Sequence, residues 1–416
     1  MTVLISGAGI AGLTLGLSLH QIGVPFRIFE AVREVKPLGV GINLQPHAVR
    51  EFFELGLEAE LDKIGLRTKE VGYYSEHGKE IWHEPRGMAA GYHWPQFSIH
   101  RGGLQHLLYR EVLKRCGDVI TTGAAVTAWE ETGEGVSVTL SDRTGGAEIG
   151  REAGSVLIAC DGINSVLRQT LYPDEGAAHW GGTLMWRGVT KGPKFLSGAT
   201  VTMIGRKDTK FVVYPIGNTE DGGCLINWIA DRVLPADTEW RQQDWNRKGR
   251  LEDFLPAFAD WSFDWLDVPW VIQNADHIYE YPMVDRNPLP RWTHGAMTLL
   301  GDAAHAMYPI GSNGASQAVL DARVLAREIK RLGVGPEALQ AYEDERREKV
   351  NALVLANRGD GPDKILDIVA ERAPSGFDDI NEVMPLSERQ SFADGYKAIA
   401  GMDIAALNAS APILAG

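Results

Sequence analysis

The sequence predicts a mixed α/β fold, in which a discontinuous Rossmann-type domain is interrupted by an inserted antiparallel sheet and followed by C-terminal helices. Three observations carry this reading. A strand–glycine–helix–strand unit opens the chain. Short β-branched and aromatic runs, separated by Gly, Pro and charged turns, begin near Trp180. A buried-type apolar strand then returns at 297–301, ahead of two long helical patterns. The length of 416 residues also exceeds what one hydrophobic core usually serves, so two domains are expected.

Residues 2–6 are a short apolar run ending in glycine, the pattern of a buried parallel strand. Over 10–22, Leu13, Leu17 and Leu19 stand at helical spacing, and Gly23 stops the helix. Residues 25–30 form a second apolar strand, completing a βαβ unit whose strands must lie under helices. A helix is expected over 45–57, where Val49, Phe52, Phe53 and Leu57 share one side. Strand alternation follows at 71–74 and 80–83, then an amphipathic helix at 104–113. Residues 126–130 and 136–140 read as a hairpin, and 155–160 as a buried strand closed by Asp161-Gly162. The runs 183–189, 200–204, 211–216 and 224–230 make up the antiparallel sheet, with short helices expected where Trp and Pro crowd 240–270. Helices are expected at 314–332 and 336–357. The last forty residues are weakly patterned, and their Ala-rich end is expected to be mobile. The expected division gives 1–72, 98–178 and 275–360 to the nucleotide-binding domain, 73–97 and 179–274 to the inserted domain, and 361–416 to a helical tail.

Composition narrows the partners. A formal net charge of −14 argues against nucleic acid and anionic membranes, which require clustered Lys and Arg. Cys116, Cys160 and Cys224 form no CxxC pair, as expected of unpaired thiols in a reducing cytoplasm. No HExxH or tight Cys/His spacing occurs, so no metal is expected. Residues 3–19 carry no charge but have no basic flank, and no other uncharged apolar run approaches the ~20 residues of a membrane span. Monomer and homodimer both stay open.

The first chemical motif is Gly7-Ala8-Gly9-Ile10-Ala11-Gly12, between a strand and a helix. Gly7 permits the turn, Gly9 lets backbone approach a pyrophosphate, and Gly12 allows close helix–strand packing. The amides of Ile10 and Ala11 belong to the helix N-terminus that faces the anion. Glu30, followed by Ala31, ends the next strand eighteen residues after Gly12, where a carboxylate can accept from ribose hydroxyls. A glycine-rich turn without ligand is the competing reading, and the motif alone does not separate FAD from NAD. The discriminator is Gly301-Asp302-Ala303-Ala304-His305-Ala306, after a strand and ahead of Pro309, Gly311, Gly314 and Ala315.

Together with Cys160-Asp161-Gly162 running into Asn164-Ser165-Val166-Leu167-Arg168, and with Asp321-Ala322, these residues resemble the single-component FAD-dependent aromatic hydroxylases of the para-hydroxybenzoate hydroxylase fold, over about residues 1–360. Residues 38–46 and Ser98-Ile99-His100-Arg101 look like the salicylate hydroxylase branch. Met185-Trp186-Arg187-Gly188-Val189 and Tyr281-Pro282-Met283-Val284-Asp285-Arg286 look closest to phenazine-biosynthetic monooxygenases. The resemblance implies that Glu30 binds the adenosine ribose, that Arg101 and Gln105 lie along FAD, and that Asp302 contacts the ribityl and pyrophosphate region. Asp161-Gly162 would serve FAD and a transient NAD(P)H, while Gly311, Gly314 and Ala315 would meet the flavin pyrimidine edge. One departure stands out: many members of that family carry Asn near position 316, where this chain has Ser316.

The implied reaction is hydroxylation of an aromatic small molecule with NAD(P)H and O2 through a flavin C4a-hydroperoxide. No second GxGxxG exists for NAD(P)H, so the resemblance implies reduction of a swung-out flavin, with Gly39 and Gly41 as pliant backbone beside it. Such chemistry needs a dry, aromatic-lined pocket with few polar anchors. Met185, Trp186, Val213, Asn227 and Trp228 offer one wall, and Tyr308 and Pro309 the flavin side. Tyr214 is expected to polarise a substrate hydroxyl, and Arg187 to hold a carboxylate through its planar fork. Strand alternation lets only one of Trp186 and Arg187 face the pocket. Core packing or a structural ion pair is the competing reading for each of these. A same-fold reductase without oxygen insertion and a non-enzymatic flavin module are the alternatives; halogenase and Baeyer–Villiger signatures are absent. Phenazine-like, salicylate-like and N-heteroaromatic acids stay open as substrates, as do NADH and NADPH.

Overall fold

Val3–Ser6 is buried at all four positions, as an unalternating apolar strand between two helical layers must be. It lies at the centre of a six-stranded sheet ordered Thr293–His294, Met297–Leu299, Val156–Ala159, Val3–Ser6, Phe26–Glu30 and Ile120–Thr122. All pairings are parallel except that of the first edge strand. The computed structural model describes residues 1–416 apart from 38, 144–145, 236–237, 239–246, 360, 400–402 and 416. Helices Ile10–Gln21, Arg101–Cys116, Gly314–Leu332 and Pro336–Ala356 lie where the sequence patterns place them.

The helix expected over 45–57 is two. Pro46–Glu54 ends before Gly56, whose φ of +74° turns the chain into Glu58–Ile64. A continuous apolar stripe concealed that break. The hairpin Ala125–Thr132 and Gly135–Ser141 gains a third strand, Glu148–Gly154, whose polar composition hid it.

The inserted sheet has seven strands, ordered Ala275–Asp285, His179–Gly192, Cys224–Val233, Thr209–Asn218, Thr200–Arg206, Glu70–Tyr74 and Glu80–Pro85. Its two faces serve different purposes. One buries Trp186, Ile204, Phe211, Val213 and Trp228 against Phe254, Phe258, Trp261, Val268 and Ile272. The expected short helices are described as Leu251–Phe254 and Val268–Gln273, while Trp240 lies outside the described residues. On the other face, Met185, Ile229, Tyr281 and Met283 pack on Tyr308 of the parallel-sheet side.

The tail is better ordered than its weak pattern suggests. Ile365, Leu366, Val369 and Met384 pack against Val71, Tyr73, Val201 and Ile216. Near the end, Leu414 enters the main core, and the Ile413 amide donates to the Glu51 carboxylate at 3.2 Å. The expected mobility of this stretch is thus corrected: its anchors lie on a distant helix that local composition does not reveal. No helix among the described residues is long and apolar enough to cross a membrane.

Candidate active site

The nucleotide corner starts from Gly12. A methyl group there would stand 2.1 Å from the Gly7 carbonyl oxygen, so helix and loop meet only because Gly12 lacks a side chain. At Gly9 a methyl group would meet nothing within 4 Å, and the helix it caps has no side-chain cap. Backbone N–H groups at a helix start therefore face open space, an arrangement suited to a phosphate. Ala8 is gripped from both sides: its N–H donates to Glu30 Oε2 at 2.8 Å, and its carbonyl accepts from Gln105 Nε2 at 2.8 Å. Glu30 Oε1 accepts from the Val32 amide at 2.9 Å, tying down the turn at Ala31. Each oxygen keeps a lone pair for a further donor.

The second corner adjoins the first. A methyl group at Gly301 would lie 3.1 Å from Ala11 Cβ, so the two glycine-bearing motifs touch across the sheet. Asp302 starts a short helix with its side chain exposed, while Ala303, Ala304 and His305 are buried. Behind it, His305 Nε2 and Asp321 Oδ2 lie 2.5 Å apart, and Arg346 Nε donates to Asp321 Oδ1 at 2.8 Å. Burial raises the Asp321 pKa, but the charges of His305 and Arg346 outweigh it and hold the carboxyl below its usual value. Asp161 accepts from the Leu167 amide at 3.5 Å, its other oxygen has no partner among the described residues, and burial pushes its pKa up.

Pro309 is exposed and Gly311 adopts φ +74° in the loop that leads to Gly314 and Ala315. The following helix has no side-chain cap, so a second helix N-terminus is presented here. Ser316, where the resembled family has Asn, accepts from the Gln45 amide at 3.0 Å. Arg101 is exposed, with its amide on the Val40 carbonyl at 2.9 Å. Glu30, Asp302, Gly9 and both helix starts thus line the carboxyl ends of the parallel strands. The donor set and the opening at Gly9 fit FAD.

The inserted sheet supplies the facing wall. Arg187 Nη2 donates to the Gly41 carbonyl at 3.0 Å, and Asn227 Oδ1 accepts from the Gly41 amide at 2.6 Å. Tyr214 hydrogen-bonds to Arg187, and burial pushes its phenol up to about 12. Burial likewise lowers the Arg187 pKa. No carboxylate among the described residues forms an ion pair with Arg187, and its Nε has no hydrogen-bond partner. Met185 shares this face; Tyr308 closes it, its phenol also pushed up to about 12 by burial.

Three expected pocket residues point the other way. Trp186 stacks on Phe254 at 4.8 Å and donates to Glu280 Oε2 at 3.2 Å. Trp228 donates to Thr190 Oγ1 at 3.0 Å and stacks on Phe211 at 5.9 Å. Val213 is fully buried among them. The two-residue period decides it: with Arg187, Asn227 and Tyr214 turned toward Gly41, their neighbours must enter the opposite core.

The profile of the FAD binding domain family matches residues 1–357. The chain belongs to this family. It is 44% identical to phenazine 1,6-dicarboxylic acid hydroxylase PhzS of Lysobacter antibioticus over 362 residues, 86% of this chain and 89% of the relative. It is 31% identical to 3-amino-4-hydroxybenzoate 2-monooxygenase PtnB3 of Streptomyces platensis, over 86% of this chain and 87% of that one. HpxO of Klebsiella pneumoniae complexed with FAD and uric acid superposes with a TM-score of 0.73 at 26% identity, covering 97% of this chain and 95% of the other. A salicylate hydroxylase substrate complex shares the fold, with a TM-score of 0.73 at 24% identity and coverage of 100% and 99%. The chain is an FAD-dependent aromatic monooxygenase of the para-hydroxybenzoate hydroxylase fold. NAD(P)H is the reductant usual in this family.

Two features of the hydroxylase escaped the sequence. Arg168 is a structural hub, donating to the Ala303 and Ala304 carbonyls at 3.0 and 2.8 Å. Asp231 and Lys210 form a buried charge pair on the same face of the sheet as Arg187. Asp231 stands four residues from Asn227 and Lys210 four from Tyr214, and that even spacing was the available signal.

Proposed function

We propose that this hydroxylase acts on a carboxylated, fused N-heteroaromatic substrate of the phenazine type, using NAD(P)H and O2. The carrying observation is Arg187, a half-buried guanidinium that forms no ion pair among the described residues and whose buried Nε has no hydrogen-bond partner there. A partly desolvated cation of this kind favours an anion, and a planar fork matches a carboxylate. The 44% identity to a phenazine dicarboxylic acid hydroxylase supports the ring system.

When bound, FAD supplies the electron transfer from NAD(P)H and the delivery of one O2-derived oxygen atom to the ring. Gly9–Gly12, Glu30, Ala31 and Gln105 would hold its adenosine and pyrophosphate end, Arg101, Asp161 and Asp302 would bind it further along, and Pro309, Gly311, Gly314 and Ala315 would hold its ring system. Arg187 and Asn227 take the substrate carboxylate, Tyr214 donates to it or to a neighbouring hydroxyl, and Met185 and Tyr308 exclude water around the reacting carbon. The expected boundaries shift where strands Glu70–Tyr74 and Ala275–Asp285 pair into the inserted sheet: 1–69, 98–178 and 286–360 are taken as the FAD-binding unit, 70–97 and 179–285 as the substrate unit, and 361–416 as a helical tail that closes one side.

The test is product formation with phenazine-1,6-dicarboxylate against its dimethyl ester, both scored for hydroxylated product and for NAD(P)H consumed. The acid is expected to be turned over and the ester to be poor. Equal turnover of the two disposes of the anionic anchor.

A further inference from the structure

Three buried polar atoms without hydrogen-bond partners among the described residues lie on one face of the inserted sheet: Asn227 Nδ2, Arg187 Nε and Asp231 Oδ1. Two are donors and one is an acceptor. Asn227 and Asp231 stand on the same strand four residues apart, so both project from one face at a separation of about 13 Å. Register pairs Asn227 with Tyr214, Ile229 with Arg187 and Val212, and Asp231 with Met185 and Lys210. Between the polar ends therefore runs an apolar floor of Ile229, Val212 and Met185, bordered by Tyr281.

Asp231 is 3% exposed, and its Oδ2 lies 3.4 Å from Lys210 Nζ. Lys210 is also paired with Asp363, just before helix Lys364–Arg372, so one ammonium serves two carboxylates. That leaves Asp231 Oδ1 an ionic acceptor with nothing to accept from. A buried carboxylate oxygen in that state is costly unless a donor arrives. Arg187 stands across from Ile229 with its Nη2 on the Gly41 carbonyl beside Asn227, while Arg187 Nε and Asn227 Nδ2 have no acceptor among the described residues.

We infer that Asp231 is a specificity-determining residue that accepts a hydrogen bond from an O–H or N–H group of the substrate, at the end opposite its carboxylate. This rests on the reading that Arg187 takes the carboxylate, and it adds a second polar contact to that reading. The donor and the acid then fix the ring's register, which decides the carbon that is hydroxylated.

The experiment measures dissociation constants on the FAD-loaded enzyme from perturbation of flavin absorbance. Two tricyclic monocarboxylates are compared, one bearing a hydroxyl at the distal end and one a methoxy group. The hydroxyl ligand is expected to bind about tenfold more tightly or better, the worth of one charge-assisted hydrogen bond. In Asp231→Leu, which leaves Lys210 paired with Asp363, that preference falls to about twofold or less. Equal binding of the two ligands by the wild-type enzyme overturns the inference, whether or not the variant folds; so does a preference that survives Asp231→Leu. Arg187→Met separates the two readings. If it leaves both tricyclic acids bound as before while the hydroxyl preference still needs Asp231, the carboxylate anchor fails and the distal acceptor stands.

Discussion

Arg168 Nη1 holds the carbonyl oxygen of Ala304 at 2.8 Å, across 136 residues of chain. The same guanidinium reaches the Ala303 carbonyl at 3.0 Å, the Asn287 carbonyl at 2.9 Å and the Glu175 carboxylate. One side chain thus joins the Asp161–Arg168 motif to the loop carrying Asp302. It fixes the backbone at Ala303 and Ala304, directly after Asp302.

Replacing that guanidinium leaves several carbonyls and a carboxylate unpaired in the interior. Arg168→Met is expected to cost about 3–5 kcal/mol of stability, the scale for breaking a buried ion pair. Added FAD should recover part of this loss, since a ligand that binds only the folded state stabilises it. Urea unfolding with and without FAD checks both. A loss below about 1 kcal/mol would mean the loop is held by other contacts.

Glu30 offers a cleaner probe of cofactor affinity. It anchors Ala8 and Val32 through their amides, at 2.8 and 2.9 Å, and a Gln carbonyl can replace only one of these acceptors. Glu30→Gln is expected to weaken FAD binding by about tenfold through loss of the charged ribose acceptor. Titration of apoprotein with FAD, followed by quenching of flavin fluorescence, reads the change. Unaltered affinity would remove Glu30 from the ribose site.

The reassigned tryptophans make an opposite prediction. Trp228 is fully buried against Phe211 and Phe254, on the side of the sheet away from Gly41. Trp228→Ala should cost about 3–5 kcal/mol in unfolding free energy, the range for deleting a large aromatic from a core. Substrate affinity of the protein that remains folded should stay within about twofold, well under the factor of ten that 1.4 kcal/mol represents. A large affinity loss with little destabilisation would return Trp228 to the pocket wall.

These cases show where the sequence was legible and where it stopped. The strand–Gly–helix corner was readable because Gly7, Gly9 and Gly12 answer to local geometry, and Glu30 follows at a spacing that one helix dictates. The parallel sheet was readable from runs such as Val3–Ser6, buried on both faces. The inserted strands were visible, yet their facing was not. Trp186 and Arg187 are adjacent, and only the contact of Arg187 with Gly41, far away in sequence, chooses which one enters the site. Arg168 was visible as part of a motif, but its carbonyl partners belong to another motif. The tail was opaque because Ile365, Val369 and Leu414 gain their partners from distant strands and helices rather than from their own helical stripe.

His47 links acid sensitivity to the helix beside the cofactor loop. It lies on Pro46–Glu54, is 6% exposed, and its Nε2 has no partner among the described residues. Burial, then the charges of Arg346 and Arg50, lower its pKa from 6.5 to about 3. Between those values the unfolded chain binds a proton that the folded protein refuses. Stability therefore rises with pH across this window: His47 imposes no penalty above about pH 6.5, and a growing one as pH falls toward 3. The full penalty is bounded by about 5 kcal/mol, from roughly 1.4 kcal/mol for each tenfold change in proton affinity. His47→Gln removes the titration while keeping a polar side chain of similar reach. Urea unfolding at pH 7.5, 6, 5 and 4.5 should show wild type losing up to about 1.4 kcal/mol more per pH unit than the variant below pH 6. Parallel stability curves for the two proteins would place the acid-labile group elsewhere.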